Sequence, residues 1–126
     1  MSERMVFFKI TLPVPPSLNN AYKNVRRGGR VLTDTAKNYK TMAKRDVERL
    51  ALVSGFRYPD GARLALTLTL HFSSNHRRDI SNCVKLPEDA LAEVLGFDDS
   101  RVDHLLVERG AVDAKNPRCE ILLEVL

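Results

Sequence analysis

Residues 62–72 read ARLALTLTLHF, and their alternation is the strongest indication of how the chain folds. Leucine stands at every second position from Leu64 to Leu70, while alanine and threonine fill the positions between. Because successive side chains of a strand point to opposite faces, this period predicts a β-strand with one buried face. A sheet built from such strands needs a second layer over its apolar face, so we expect helices to cover it.

Helical patterns flank this strand on both sides. Before it, apolar residues recur at helical spacing over roughly 33–54, and Gly55 stops the helix. After it, a second amphipathic helix is predicted over roughly 81–95, with Gly96 at its end. Pro87 lies inside this segment, so the helix either kinks there or begins there, with the proline in its first turn.

Three further segments have the composition of strands. MVFFKITL at 5–12 is followed by prolines, whereas VDHLLVERGAV at 102–112 and CEILLEVL at 119–126 are two strands that could pair as a hairpin. The Asn-, Gly- and Arg-rich residues 17–33 predict a long loop or an irregular hairpin. The predicted fold is α/β, of the α+β type: a two-layer sandwich of a mixed sheet and two helices in the order β-α-β-α-β-β.

Length and composition limit the class of protein. At 126 residues the chain predicts a single domain over 1–126. No apolar run approaches the roughly 18 residues of a membrane span, and the first residues lack the apolar core of a secretory signal. The only cysteines, Cys83 and Cys119, have no metal-binding spacing. We therefore expect a cytoplasmic protein without a membrane partner; its net charge of +4 is compatible with nucleic acid.

The residues that suggest chemistry concentrate at 77–102, RRDISNCVKLPEDALAEVLGFDDSRV. Two arginines come first, acids and a lysine fall on or beside the predicted second helix, and two adjacent aspartates follow it. Spacing alone leaves two interpretations open. One is a solvated helix face, on which Lys85 and Asp89 are an ordinary i,i+4 pair, and the other is an active site.

For an active site, this composition favours hard-cation chemistry on phosphate esters. Mg²⁺ takes oxygen ligands, usually from one or two carboxylates together with water and substrate phosphate. Such an ion activates water and stabilises the leaving oxygen of a phosphodiester, while a nearby lysine adds charge stabilisation. Arginines beside the acids would offset their repulsion of a DNA backbone. In this interpretation the acids hold a metal ion and the cations hold phosphates.

Several segments of the chain resemble the RusA-type Holliday junction resolvases. PVPPSLNNAY at 13–22 and TDTAKNYK at 33–40 resemble early family segments, and RRDISNCVKLPEDAL at 77–91 with GFDDSRV at 96–102 resembles its acidic and lysine motifs. The resemblance implies one RusA-like endonuclease domain that resolves Holliday junctions by paired symmetric nicks in DNA recombination and repair. It also implies Mg²⁺ as cofactor, with Mn²⁺ as a substitute, branched four-way-junction DNA as substrate, and a homodimer.

Residue by residue, the resemblance implies a set of catalytic groups. Asp79 and Asp99 would be catalytic carboxylates and metal ligands, and Asp98 would be an additional or substitute ligand. Lys85 matches the lysine associated with catalysis, and Asn82 matches a polar position of the motif. The sequence leaves open whether Asp98 or Asp99 faces the metal, because adjacent residues point in different directions.

Ser81 departs from the family pattern, which often has a second aspartate at this position. A hydroxyl group or a bound water would then have to replace the missing carboxylate. The alternative function is therefore a catalytically weakened relative that binds junction DNA as a structural module. A third hypothesis is an unrelated α/β interaction domain whose polar helix face is only solvated.

Basic residues predict the DNA-binding surface. The cations of the 17–33 stretch cluster around two glycines, and such loops can track phosphates with little base specificity. A solvated hairpin is the competing interpretation, and the resemblance favours DNA contact. The predicted DNA-binding residues are Lys23, Arg26, Arg27, Arg30, Arg77, Arg78 and Asn82.

Overall fold

A computed structural model describes residues 6–17, 22–24 and 30–126 of the chain. Within these ranges the chain forms strands, two α-helices and two short 3₁₀ segments. In chain order the regular elements are β1 (Phe7–Leu12), β2 (Tyr22–Asn24), β3 (Arg30–Leu32), α1 (Asp34–Ser54), β4 (Leu64–His71), α2 (Lys85–Leu95), β5 (Val102–Arg109) and β6 (Arg118–Val125). The 3₁₀ segments are Ile80–Cys83 and Asp99–Arg101, one on each side of α2.

Four strands form one mixed sheet in the order β1-β6-β4-β5. β6 is antiparallel to both of its neighbours, and β5 is parallel to β4. The predicted α+β architecture and the order β-α-β-α-β-β are confirmed. β2 and β3 form an additional antiparallel pair between β1 and α1, within the stretch for which a loop or irregular hairpin was predicted.

The alternating leucines of β4 form the centre of the core. All four are at most 1% exposed, whereas the residues between them are partly exposed on the opposite face. α1 and α2 pack against each other, and their buried alanines, Ala43 and Ala90, are completely inaccessible to solvent. Small side chains at these positions allow close packing without strain. The prediction of one helix-covered sheet face is therefore confirmed.

The expected hairpin between the last two strands is wrong, because β4 lies between β5 and β6. After β5 the chain follows the end of β4: Gly110 donates its N–H to the carbonyl of Leu70, and Asp113 donates to that of Phe72, both at 2.9 Å. It then enters β6 on the other side of β4. β4 therefore has a neighbour on both edges, so its leucines lie in the interior of the sheet and belong to the core.

α2 begins at Lys85, so the expectation of a single helix from residue 81 is wrong in its first residues. Residues 80–83 form a separate 3₁₀ segment, and Pro87 is the third residue of α2. A proline is tolerated there because the first N–H groups of a helix have no partner within the helix. The alternative in which Pro87 belongs to the first turn is therefore the correct one. Within the described ranges, neither helix has the length and apolarity needed to cross a membrane.

Candidate active site

Asp79 precedes the first 3₁₀ segment, and both oxygens of its carboxylate accept hydrogen bonds. Ser81 donates its hydroxyl to Oδ1 at 2.8 Å, and the side-chain amide of Asn82 donates to Oδ2 at 3.3 Å. The tight turn of the segment makes this possible, because it places residues two and three positions later beside the carboxylate. Asp79 is thus an exposed carboxylate whose orientation is fixed by its neighbours. Ser81, at the position where the resemblance implies an acid, here supports Asp79.

Lys85 forms the second polar group, at the start of α2. Its ammonium lies 3.0 Å from Oδ1 of Asp89 and 3.3 Å from Oδ2 of Asp99. The hydrogen bond to Asp89 is the largest cause that raises the pKa of Lys85, and Asp99 adds to it. The lysine is therefore charged at neutral pH. Because the chain turns back after Gly96, the aspartate that follows α2 reaches the first turn of the same helix.

Asp98 and Asp99 point to different partners. Asp98 caps the second 3₁₀ segment, since its Oδ1 accepts the N–H of Ser100 at 2.9 Å. This backbone hydrogen bond is the largest cause that lowers the pKa of Asp98. Asp99 instead turns towards Lys85. The geometry therefore gives Asp98 a local capping role and brings Asp99 into the lysine-centred group.

Glu88 lies next to this group but is not among the predicted site residues. Burial raises the pKa of its half-buried carboxyl, Lys85 opposes that effect, and the charges of Asp99 and Asp89 reinforce it. The available sequence signal was its position three residues after Lys85, which places both on one side of the helix. That signal is weak because every amphipathic helix contains such pairs.

A groove of about 380 Å³ opens beside Asp79. One wall comes from the segment after β1, and the other comes from the loop between β4 and the first 3₁₀ segment. The residues that line it are Val14, Pro15, Ser17, Phe72, Arg77, Arg78, Asp79 and Cys83. Two sequence segments that are far apart in the chain, the early proline-rich segment and the RRD motif, therefore meet at one surface.

The two arginines of the RRD motif differ in their surroundings. Arg77 is exposed at the groove. The guanidinium of Arg78 lies 4.5 Å from the centre of the Phe72 ring, and its Nη1 donates to the carbonyl of Ser74 at 3.2 Å. The side chain of Arg77 is thus open to solvent, whereas the side chain of Arg78 is held against an aromatic ring at the edge of the site.

The donor chemistry of the acids fits a hard divalent cation. Asp79 and Asp99 supply carboxylate oxygens, and Mg²⁺ commonly takes only one or two protein carboxylates, with water and phosphate completing its shell. Among the described residues, no group of three or more His, Cys, Asp or Glu side chains is arranged to hold a metal ion. The described acids therefore offer a metal ion single carboxylates and not an all-protein cage.

Part of the predicted DNA-binding loop lies outside the described residues. Arg26 and Arg27 are not described. Lys23 and Arg30 lie on β2 and β3, and only their backbone positions are described. DNA contact by these four residues stays a prediction.

Comparison with known proteins identifies related sequences. A family model described as "Endodeoxyribonuclease RusA" matches residues 13–124, a range that contains every predicted site residue. The protein "Crossover junction endodeoxyribonuclease RusA" of Shigella sonnei (strain Ss046) is 32% identical over 97 residues, covering 75% of this chain and 76% of that protein. The proteins of the same name from Escherichia coli strain K12 and from Escherichia coli O1:K1 / APEC match with the same identity and coverage.

Proposed function

Because this chain belongs to the RusA endodeoxyribonuclease family, we propose that it resolves Holliday junctions by metal-dependent paired nicks in DNA. The observation that carries this proposal is the position of Lys85 at the start of α2. Its ammonium lies 3.3 Å from the carboxylate of Asp99, which follows the turn at the end of the same helix. A charged lysine in contact with a carboxylate can stabilise the charge that develops when a phosphodiester is hydrolysed with the help of a metal ion.

Asp79 and Asp99 are the proposed ligands of Mg²⁺, with Mn²⁺ as a substitute and Asp98 as an additional ligand. When bound, the ion would activate a water molecule and neutralise the phosphate. Ser81 and Asn82 orient Asp79 through hydrogen bonds of 2.8 and 3.3 Å. The carboxylate is therefore already oriented before a metal ion binds.

Lys85 is proposed to stabilise the negative charge that builds up on the phosphate. Its pKa is raised by Asp89 and Asp99, so it carries its proton throughout the neutral range. A fixed ammonium placed where charge develops lowers the barrier without having to reorganise during the reaction. Asp89 keeps the ammonium in place from the same helix, at 3.0 Å.

The DNA strand is proposed to run along the groove beside Asp79. Arg77 and Arg78 line this groove, and arginine pairs well with phosphate through its planar fork of donors. Asn82 and the basic residues Lys23, Arg26, Arg27 and Arg30 complete the proposed contacts. This activity belongs in the cytoplasm, where cellular DNA lies, and the buried free thiols of Cys83 and Cys119 suit a reducing compartment.

We further propose that the enzyme is a homodimer, because two symmetric nicks in a four-way junction require two sites related by a two-fold axis. The feature that supports an interface is β5, an edge strand of the four-stranded sheet. Its residues Leu105 and Leu106 are 52% and 53% exposed. An edge strand with exposed leucines can pair with the same strand of a second copy.

A second candidate function is a junction-binding module with weakened catalysis. Ser81 favours it, since a hydroxyl group replaces a potential carboxylate ligand. This candidate predicts tight binding of four-way junctions without cleavage.

The variant Asp79→Asn separates the two candidates. It keeps the shape of the side chain but removes the negative charge that a metal ion needs. We expect junction binding within about threefold of the parent and a loss of cleavage of at least about 100-fold, beyond the range typical of outer-shell changes. Asp60→Asn, in an exposed turn away from the site, is the matched control and should leave both unchanged. Equal cleavage by Asp79→Asn and its parent would refute the assignment of Asp79.

A further inference from the structure

We infer that Arg109 is a positioning residue that holds Asp79 and the groove in place. Arg109 is the last residue of β5, and the parallel pairing of β4 with β5 ends where it stands opposite Leu70. It therefore lies where β4 ends and where the loop 73–79, which leads to Asp79, begins. Since that loop carries a proposed metal ligand, this role rests on the proposed function.

The guanidinium of Arg109 holds the loop at two points. Nη1 donates to the carbonyl of His76 and Nη2 donates to the carbonyl of Arg78, both at 3.3 Å. The carbonyl of Arg78 belongs to the same peptide unit as the N–H of Asp79, so the second bond fixes the plane from which Asp79 projects. One planar fork with two donors is suited to holding two carbonyls at a fixed separation.

Phe72 provides a rigid base for this arrangement. Its ring is 3% exposed, and the guanidinium carbon of Arg109 lies 5.0 Å from the ring centre. Arg78 lies 4.5 Å from the centre of the same ring. The buried ring therefore fixes both arginines through cation–π contact and limits where the loop can move.

Arg109 forms no ion pair with an acid of the described ranges. Among the described residues, no carboxylate lies within ion-pair distance of Arg109, and its hydrogen bonds go to backbone carbonyls. Its positive charge adds to that of Arg78, and both oppose the rise that burial causes in the pKa of Cys83 on the groove wall. Arg109 thus also raises the positive potential beside Asp79, where a phosphate would approach.

Two kinds of measurement test this role in the full-length protein. Hydrogen exchange of the peptide covering 73–79, followed by mass spectrometry without metal or DNA, reports how firmly the loop is held. Single-turnover cleavage of a junction by saturating protein, measured over a titration of Mg²⁺, reports how well the site is assembled. Arg109→Gln, Arg109→Lys and the control Arg63→Gln are compared with the parent.

Arg63→Gln is matched because Arg63 also bridges the β4–β5 pair, at its other end, by an exposed contact of 2.9 Å to Asp103. We expect Arg109→Gln to accelerate exchange in 73–79 by about tenfold, consistent with the loss of two hydrogen bonds. We expect it to slow cleavage by about 10–100-fold and to raise the Mg²⁺ concentration needed for half-maximal rate. Arg109→Lys, which keeps the charge but not the fork, should recover part of the loss, and Arg63→Gln should match the parent.

Unchanged exchange in 73–79, or cleavage at the parental rate despite faster exchange, would overturn the role of Arg109. A general loss of protection across the sheet in Arg109→Gln would also overturn it, since the residue would then stabilise the fold as a whole. If the parent cuts no junction in any metal, the proposed function fails. The exchange data then decide alone whether Arg109 holds the loop.

Discussion

The ammonium of Lys85 lies 3.3 Å from the carboxylate of Asp99, although fourteen positions separate them in the chain. The turn at Gly96, with φ of 86°, brings the chain back to make this contact. The side chains of Lys85 and Asp99 are 42% and 51% exposed, so the pair contributes little to stability. We therefore propose that the pair serves the reaction rather than the stability of the fold.

Lys85→Met tests this interpretation. We expect single-turnover cleavage to fall by about 10²–10³-fold, the usual effect of removing one fixed donor at a developing charge, while junction affinity changes little. The free energy of unfolding should change by no more than about 1 kcal/mol, as for other exposed pairs. Lys40→Met, which removes a 2.8 Å pair with Glu93 about two turns further along α2, should cleave like the parent. A similar loss in both variants would point to a structural effect.

The adjacent aspartates should behave differently when each is replaced by asparagine. Asp99 faces Lys85, whereas Asp98 accepts the N–H of Ser100 at 2.9 Å. We expect Asp99→Asn to lower cleavage by at least about 100-fold, and Asp98→Asn to lower it by less than about tenfold because an asparagine can still cap the turn. Cleavage rates at several Mg²⁺ concentrations check this. The reverse order would make Asp98 the ligand.

Glu88 predicts a pH dependence of stability. Burial raises the pKa of its carboxyl in the folded state above the value in the unfolded chain. As pH rises from the unfolded pKa through the folded pKa, the unfolded chain loses its proton first, so ionisation of Glu88 lowers stability. Glu88→Gln removes this titration. Urea denaturation of both proteins in metal-free buffer should show the variant gaining stability relative to the parent as pH rises through that window. A constant difference would contradict the assignment.

The edge strand β5 predicts how the proposed dimer would be broken. Leu106 is 53% exposed on this strand, and a lysine there would oppose pairing with a second copy. We expect Leu106→Lys to shift the protein from dimer to monomer in sedimentation equilibrium. Leu52→Lys, at an 84% exposed position near the end of α1, is the control and should stay dimeric. Dimers of unchanged strength in Leu106→Lys would place the interface elsewhere.

Local patterns predicted the elements but not their neighbours. The leucine alternation of β4 and the glycine stop at Gly55 depend on residues adjacent in sequence, and both are borne out. The partner of β5 depends on which strand order gives β4 a neighbour on each edge. That order is a property of the whole sheet. The hairpin prediction failed because it used only the proximity of two strands in sequence.

The site was predictable to the same degree. Asp79, Lys85 and Asp99 could be singled out because the resemblance covers their motif. Arg109 could not, since its bonds to the carbonyls of His76 and Arg78 join segments more than thirty positions apart. Contacts between a side chain and distant backbone carbonyls leave no pattern in a single sequence.

Cleavage of an end-labelled synthetic four-way junction is the most direct test of the central claim. The parent protein is incubated with the junction, or with linear duplex of the same sequence, in Mg²⁺, in Mn²⁺ and in EDTA. The account predicts paired, symmetric nicks in the junction alone, in either metal, and none in EDTA. Tight binding of the junction without cleavage in either metal would contradict it and would favour the junction-binding module.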